Sequence, residues 1–239
     1  MSLDHIIFIL YQPQDVVNVG GVARALGNFG LRRLRLVEPA AFDRARAAGV
    51  AHQAGAILDA IEWYADLPAA VADCGLVVAT TGRPRRVAYR RQSPRAAAPA
   101  LLAAARPAAP VAVVLGREDS GLPNEALDLA HLLLTIPTVA DNRSLNLAQA
   151  ALVIAYELWL AAQEPVPDPA PTPEAAPPAL GRDAVAMADA LAALLAAQVP
   201  ASRLAYDLAL LRAVLLRARP NAAEAARLAH LFRRLTREA

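Results

Sequence analysis

The chain of 239 residues contains no lysine; all 24 of its Lys/Arg positions are arginine. This excludes covalent catalysis through a lysine Schiff base, and it excludes a phosphate-binding loop ending in Gly-Lys-Ser/Thr. There is one cysteine, Cys74, so an intrachain disulfide is impossible and no zinc cluster is encoded. Cys74 stands in an apolar run, Asp73-Cys74-Gly75-Leu76-Val77-Val78, and reads as a buried structural thiol. The histidines His5, His52, His131 and His230 are scattered, so no Ser/His/Asp triad is apparent. A G-x-G-x-x-G fingerprint is absent too, which argues against a dinucleotide site. The first residues, Met1-Ser2-Leu3-Asp4-His5, lack a basic leader, so no signal peptide is expected. The longest apolar helical run, 147–162, is interrupted by Gln149 and Glu157 and is too short and polar to span a membrane. The expectations are a cytoplasmic chain with no membrane partner and no metal.

What is present is enough to fill a sizeable core: 56% of residues are hydrophobic and 19% charged, although much of the apolar count is alanine, which buries little area. Net charge is +2 with a pI of about 9.0. Five β-rich apolar runs read as strands at 6–11, 34–37, 76–80, 111–115 and 132–136, with a further edge strand at 61–64. Helical patterns lie between them at 19–28, 66–72, 96–105 and 124–130, followed by the long run from 147. Strands alternating with helices imply an α/β domain, a mostly parallel sheet with helices on both faces. Residues 164–179 read EPVPDPAPTPEAAPPA; proline at nearly every second place forbids a helix or a ladder, leaving a polyproline-type linker with a reach of roughly 50 Å. Beyond it, three Ala/Leu-rich helices are expected at 183–198, 202–217 and 221–237. Ser202 is the candidate cap of the second, and Asn221 with Glu224 forms a capping box for the third. The expected organisation is an α/β domain over 1–163, a linker over 164–180 and a helical domain over 181–239. The linker is long enough to let the helices move independently or pack across a partner.

Three stretches each follow an expected strand and open a loop or helix, the place where α/β sheets bind ligands. In Asn18-Val19-Gly20-Gly21-Val22-Ala23-Arg24, the glycines permit close backbone approach and Arg24 sits on the first turns of a helix, where a guanidinium suits a phosphate or a ribose oxygen. A helix-entry turn with a solvated arginine would look the same. In Gly116-Arg117-Glu118-Asp119-Ser120-Gly121-Leu122, charges cluster at the end of a fully apolar strand, a costly arrangement unless they pair or touch a ligand. A surface turn with an Arg–Glu pair is the alternative. In Ser144-Leu145-Asn146-Leu147-Ala148, Ser144 or Asn146 caps the long helix and its free N–H groups face the same edge. A fourth stretch, Thr80-Thr81-Gly82-Arg83-Pro84-Arg85-Arg86, continues to Arg90, Arg91 and Arg95; this positive patch favours a polyanion such as RNA, with Tyr89 available for stacking. The constellation offers neither a metal cluster nor a conventional base. It suits methyl transfer from an activated sulfonium donor, where positioning does most of the work.

These motifs resemble those of the SPOUT class (the TrmH/SpoU superfamily) of RNA ribose 2′-O-methyltransferases. Residues 6–163 resemble that domain throughout, and the wording N-x-G-x-x-A-R, G-R-E-D-S-G-L and S-L-N-L-A-Q-A is most similar to the TrmJ type of tRNA methyltransferase. Gly82 departs from the alanine common there, and arginine replaces every lysine. The resemblance implies a trefoil-knotted sheet and a pocket for S-adenosyl-L-methionine formed by Thr80, Thr81, Gly82, Leu115, Gly116, Arg117, Ile136, Ser144, Leu145 and Asn146. It implies Arg24, Asn18, Glu118, Ser144 and Asn146 as the catalytic set. Arg24, Arg83, Arg85, Arg86, Arg90 and Arg91 would meet RNA. It further implies a homodimer in which Arg24 reaches the partner's donor site, and a tRNA target, cytidine or uridine at the first nucleotide of the anticodon loop. The alternatives are methylation of ribosomal RNA or another tRNA site, or a non-catalytic RNA-binding protein on the same core. Past residue 181 the resemblance rests on helix layout alone.

Overall fold

The computed structural model describes residues 3–82, 90–141, 143–164 and 177–238. Seven strands, β1 (Ile6–Tyr11), β2 (Arg33–Val37), β3 (Glu62–Tyr64), β4 (Leu76–Thr80), β5 (Arg91–Gln92), β6 (Val111–Leu115) and β7 (Leu132–Leu134), form one sheet in the order β3-β2-β1-β6-β4-β7-β5. Every pairing is parallel, with Ile7 beside Arg33 and Val78 beside Val113. The α/β architecture expected from the sequence is present. The helices are α1 (Val16–Asn28), α2 (Arg44–Ala51), α3 (Gly55–Asp59), α4 (Leu67–Ala70), α5 (Pro94–Ala104), α6 (Asn124–Leu127), α7 (Leu147–Gln163), α8 (Gly181–Gln198), α9 (Ala201–Ala218) and α10 (Ala222–Glu238).

Side chains alternate across a strand, and the two faces of this sheet are apolar for that reason. Ile6, Phe8, Leu10, Leu34, Leu36, Val111, Val113 and Leu115 enter one core with α1, α5 and α7. Ile7, Ile9, Val37, Ala112 and Val114 enter the other with Leu67, Leu122 and Leu127. Burying each such aliphatic side chain contributes about 1.5–3 kcal/mol before chain entropy is counted. The faces differ in cover. Long helices lie on the first, whereas α4 and α6 on the second have four residues each.

Arg35 alternates onto this thinner face at 2% exposure. It donates twice to Asp73, at 2.6 and 2.8 Å, once to Glu62 at 3.1 Å and once to the Ala70 carbonyl at 2.6 Å, with its guanidinium carbon 5.1 Å from the centre of the Tyr64 ring. Burial opposes the charge, but the Asp73 pair outweighs it and raises the arginine pKa. Cys74 is buried as expected, and burial pushes its thiol up to about 12.

Several elements differ locally from the expected ones. Helices α2 and α3 are additional to the expected elements, because the buried positions in α2 are alanines, Ala47 and Ala51, which produce little periodic signal. Strand β5 is two residues long and polar. Strand β7 ends at Leu134 rather than 136, and α6 ends at Leu127 rather than 130. Pro200, not Ser202, occupies the position before α9. The capping box of α10 is present: Glu224 accepts from Asn221 N at 2.8 Å and Asn221 accepts from Glu224 N at 2.9 Å.

The helices α8–α10 dock on their own chain, on the thin face. Gly181 N donates to Cys74 O at 2.7 Å, Arg182 N donates to Ala72 O at 3.1 Å, and Arg212 reaches Asp128 at 3.5 Å. A Cβ on Gly181 would lie 2.0 Å from Val71 O, so only glycine lets the backbone come this close. Residues 177–180 belong to this docked assembly: Ala222 N donates to Pro177 O at 3.0 Å and Ala179 N to Pro220 O at 3.3 Å. In this structure the helices pack on their own chain. The proline-dense residues 165–176 lie outside the described residues.

Candidate functional site

The carboxyl ends of β4, β6 and β7 are adjacent in the sheet, and the loops that leave them surround a cavity of about 480 Å³, a size suited to a cofactor. Its floor is apolar, with Leu115, Leu122, Leu134 and Leu147, and its rim carries Thr80, Thr81, Asp141 and Ser144.

The loop after β6 is a tight turn. Gly121 N donates to Arg117 O at 2.9 Å, and Gly121 has φ +73°. A Cβ on Gly116 would lie 2.4 Å from both Gly121 C and Leu122 N, so the turn closes only with glycine there. The Arg–Glu pair that a surface turn would contain is not formed. Arg117 binds Asp119 instead, through Nε at 3.0 Å and Nη2 at 2.8 Å, and Ser120 Oγ donates to the same carboxylate at 2.8 Å. The Arg117 pair, then the Ser120 hydroxyl, holds Asp119 well below the usual carboxylate range.

Glu118 is thereby left to face α1. Its carboxylate accepts from Gln14 N at 2.9 Å, Asp15 N at 3.3 Å and Asn18 Nδ2 at 2.9 Å. Asn18 Oδ1 in turn accepts from Asn146 Nδ2 at 2.8 Å, and Asn146 Oδ1 accepts from Ala148 N at 2.9 Å and Gln149 N at 3.3 Å. Asn18 is thus joined to two side chains 100 and 128 positions away in sequence. The resulting chain of hydrogen bonds ties the β6 loop to the N-termini of α1 and α7. A carboxylate at a helix start also offsets the positive end of the helix dipole. Asp15 caps α1 through Val17 N at 2.9 Å.

Nine of the ten expected pocket residues line the cavity: Thr80, Thr81, Gly82, Leu115, Gly116, Arg117, Ile136, Ser144 and Leu145. Asn146 does not; it caps α7. Asn18 and Arg24 do not line it either. Arg24 stands in the third turn of α1, because the helix begins at Val16 rather than at the expected residue 19. It is exposed. Among the described residues it makes no ion pair or hydrogen bond. Arg90 and Arg91 are exposed, whereas Arg83, Arg85, Arg86 and Tyr89 lie outside the described residues. Arg95 is not a free member of the patch, since Glu157 holds it at 3.1 and 2.9 Å. Ala140, Asp141 and Arg143 also line the cavity; they lie in the 136–146 loop that the family resemblance implies as part of the pocket, although of that loop the resemblance singles out only Ile136, Ser144, Leu145 and Asn146. No group of three metal-ligating side chains occurs among the described residues, and among them no helix is long and apolar enough to cross a membrane.

Comparison with known proteins matches residues 5–156 to the model of the SpoU rRNA Methylase family. The chain is 39% identical over 160 residues to the uncharacterized tRNA/rRNA methyltransferase LasT of Escherichia coli (strain K12), covering 67% of this chain and 70% of LasT. It is 39% identical over 164 residues to the tRNA (cytidine/uridine/adenosine-2′-O-)-methyltransferase TrmJ of Pseudomonas aeruginosa (strain UCBPP-PA14), covering 67% of this chain and 64% of that one. Among solved structures, TrmJ from Z. mobilis ZM4 superposes with a TM-score of 0.81 at 31% identity over 96% of this chain and 98% of that one, so the likeness extends through the C-terminal helices. On its family match and on these relatives, the chain belongs to the SpoU rRNA Methylase family.

Proposed function

We propose that the chain is an S-adenosylmethionine-dependent RNA ribose 2′-O-methyltransferase of the cytoplasm. Its target on this reading is tRNA, at the ribose of cytidine or uridine at the first nucleotide of the anticodon loop. The observation that carries the reading is the cavity at the β4, β6 and β7 ends, built from the motif loops. Its contents fit the donor. Backbone at Gly82 and Gly116 comes too close to Arg143 O and the Gly121–Leu122 peptide for any side chain, leaving main-chain groups to hold an adenosine. The apolar floor suits the purine, and Thr80, Thr81, Ser144 and Asp141 offer polar atoms at the rim. The approach of Gly82 to Arg143 O, 2.7 Å from a Cβ, also brings together the loops that a trefoil would thread.

When bound, S-adenosylmethionine supplies a methyl group on a sulfonium, already activated for transfer. Thr80, Thr81, Leu115, Gly116, Arg117, Ile136, Ser144 and Leu145 would hold it in the cavity. Arg24 orients the ribose 2′-oxygen and stabilises the alkoxide that develops there; a guanidinium hardly deprotonates, so a base role is not assigned to it. Glu118, Asn18 and Asn146 position α1, and therefore Arg24, relative to α7. Arg24 is absent from its own cavity's lining, which favours a homodimer in which it serves the partner's cavity. The residues 181–239 form a separate helical unit on this reading, with Arg227, Arg233 and Arg237 exposed on α10 as a second RNA-facing surface in addition to Arg90 and Arg91.

Mixing variants tests this. Arg24→Ala alone and Gly116→Ala alone should each lose methyl transfer to tRNA, Arg24→Ala by about 100-fold or more. Co-refolded mixtures should regain a substantial fraction, because one dimer then contains one intact cavity served by one intact Arg24. Near-normal turnover of Arg24→Ala sinks the catalytic assignment. Loss in both variants without recovery in the mixture sinks the shared site.

A further inference from the structure

A second cavity, of about 280 Å³, lies at the opposite edge of the sheet, where the helical unit meets it. Gly75 and His131 contribute from the sheet, and Pro178, Ala179, Ala184, Leu216, Arg219, Pro220 and Asn221 from the docked helices. Three lining side chains are polar, and each presents donors. His131 Nδ1 accepts from Val77 N at 3.2 Å, so a neutral ring carries its proton on Nε2. Burial, then the nearby Arg219, holds this imidazole down to about 4, so it is neutral at physiological pH. Asn221 spends its Oδ1 on the α10 cap, leaving both Nδ2 hydrogens. Arg219 adds a guanidinium from a left-handed C-cap, φ 52°, a conformation uncommon for a non-glycine residue. Among the described residues, no carboxylate lines the cavity.

We infer that this junctional cavity binds a tetrahedral oxyanion, phosphate in chemical class, held by Arg219, Asn221 Nδ2 and His131 Nε2–H. Converging side-chain donors, with no side-chain acceptor free among the described lining residues, suit an anion, and the apolar remainder, Leu216, Pro178 and Pro220, limits its size. The anion would bridge His131, just before β7, to the α9–α10 turn, fastening the helical unit to the sheet. Two sources share this chemistry, free phosphate and a phosphate of bound RNA.

The test is an NMR titration of the whole protein, following the His131 ring Cε1–H signal, assigned by its loss in His131→Asn. His5, His52 and His230 are internal references. Inorganic phosphate should shift the His131 signal saturably and raise Tm. Arg219→Gln should bind at least tenfold more weakly, and Asn221→Ser, which keeps a capping oxygen, several-fold more weakly. A parallel titration with tRNA separates the sources: a shift with phosphate that RNA does not reproduce assigns a free anion, and a shift with RNA alone assigns a backbone phosphate. No saturable shift with either, or unchanged affinity in both variants, overturns the inference.

Discussion

The two edges of the same sheet are built from similar parts and do different work. At the carboxyl edge, Gly116 closes a turn that leaves a 480 Å³ cavity, and the charged residues beside it are paired with one another or committed to helix ends. At the amino edge, Gly181 closes an approach that seats α8–α10 on the thin side of the sheet. In both places a Cβ would meet backbone, at 2.4 Å and 2.0 Å respectively. One close approach makes room for a ligand and the other removes room between two parts of the chain. Site and support are thus separable, and the variants that separate them differ in what they should change.

The largest effect on the support side is expected at Arg35. Arg35→Leu leaves the Asp73 and Glu62 carboxylates without their shared partner and should cost about 3 kcal/mol in denaturant unfolding, less than a fully buried pair because both acids are partly exposed. Adding Asp73→Leu should recover part of it. A loss confined to donor binding would break the distinction between edges.

His131 sets the next. Its pKa is depressed in the folded protein, to about 4 from 6.5, so the unfolded chain binds the extra proton as pH falls. Stability is therefore full above about pH 6.5 and declines toward pH 4, by up to about 2–3 kcal/mol. The carboxylates Asp73 and Asp119 are shifted downward from 3.8, so their contributions are lost only at more acid pH. His131→Asn should flatten the slope between pH 6.5 and 4; an unchanged slope would place the proton elsewhere.

The paired glycine substitutions sharpen the contrast directly. Gly181→Ala should lower stability by about 1–3 kcal/mol and leave S-adenosylmethionine affinity alone. Gly116→Ala should weaken that affinity by at least tenfold while α8–α10 stay docked, as read by proteolysis. The reverse pattern would refute the division of labour.

The smallest effect belongs to the arginine patch. Replacing Arg90 and Arg91 with glutamine should flatten the salt dependence of RNA binding by about one unit of slope for each phosphate no longer neutralised, without altering turnover at saturating RNA. An unchanged slope would put the RNA on another surface.

Much of the site is legible in the chain because its chemistry is local. The apolar strands end where the motifs begin, and nine of the ten pocket residues that the family resemblance implies line the cavity. Asn146 is legible as a cap for the same reason. What cannot be read is pairing at a distance: that Glu118 turns to α1 while Arg117 takes Asp119, or that Arg95 belongs to Glu157. Nor can the alanine-lined α2 and the two-residue β5 be read, since neither has a periodic signal strong enough to stand out.

The amino-acid sequence by itself determined the order of strands and helices, the parallel architecture and the positions of the ligand-facing loops, because alternation, capping and glycine turns act over a few residues. Only the tertiary structure decided which strands are neighbours, that Asn18, Glu118 and Asn146 form one hydrogen-bonded chain, and that the C-terminal helices lie on their own sheet. Those outcomes depend on closing long stretches of chain and on which face lacked cover, and neither is written in any local stretch of the sequence.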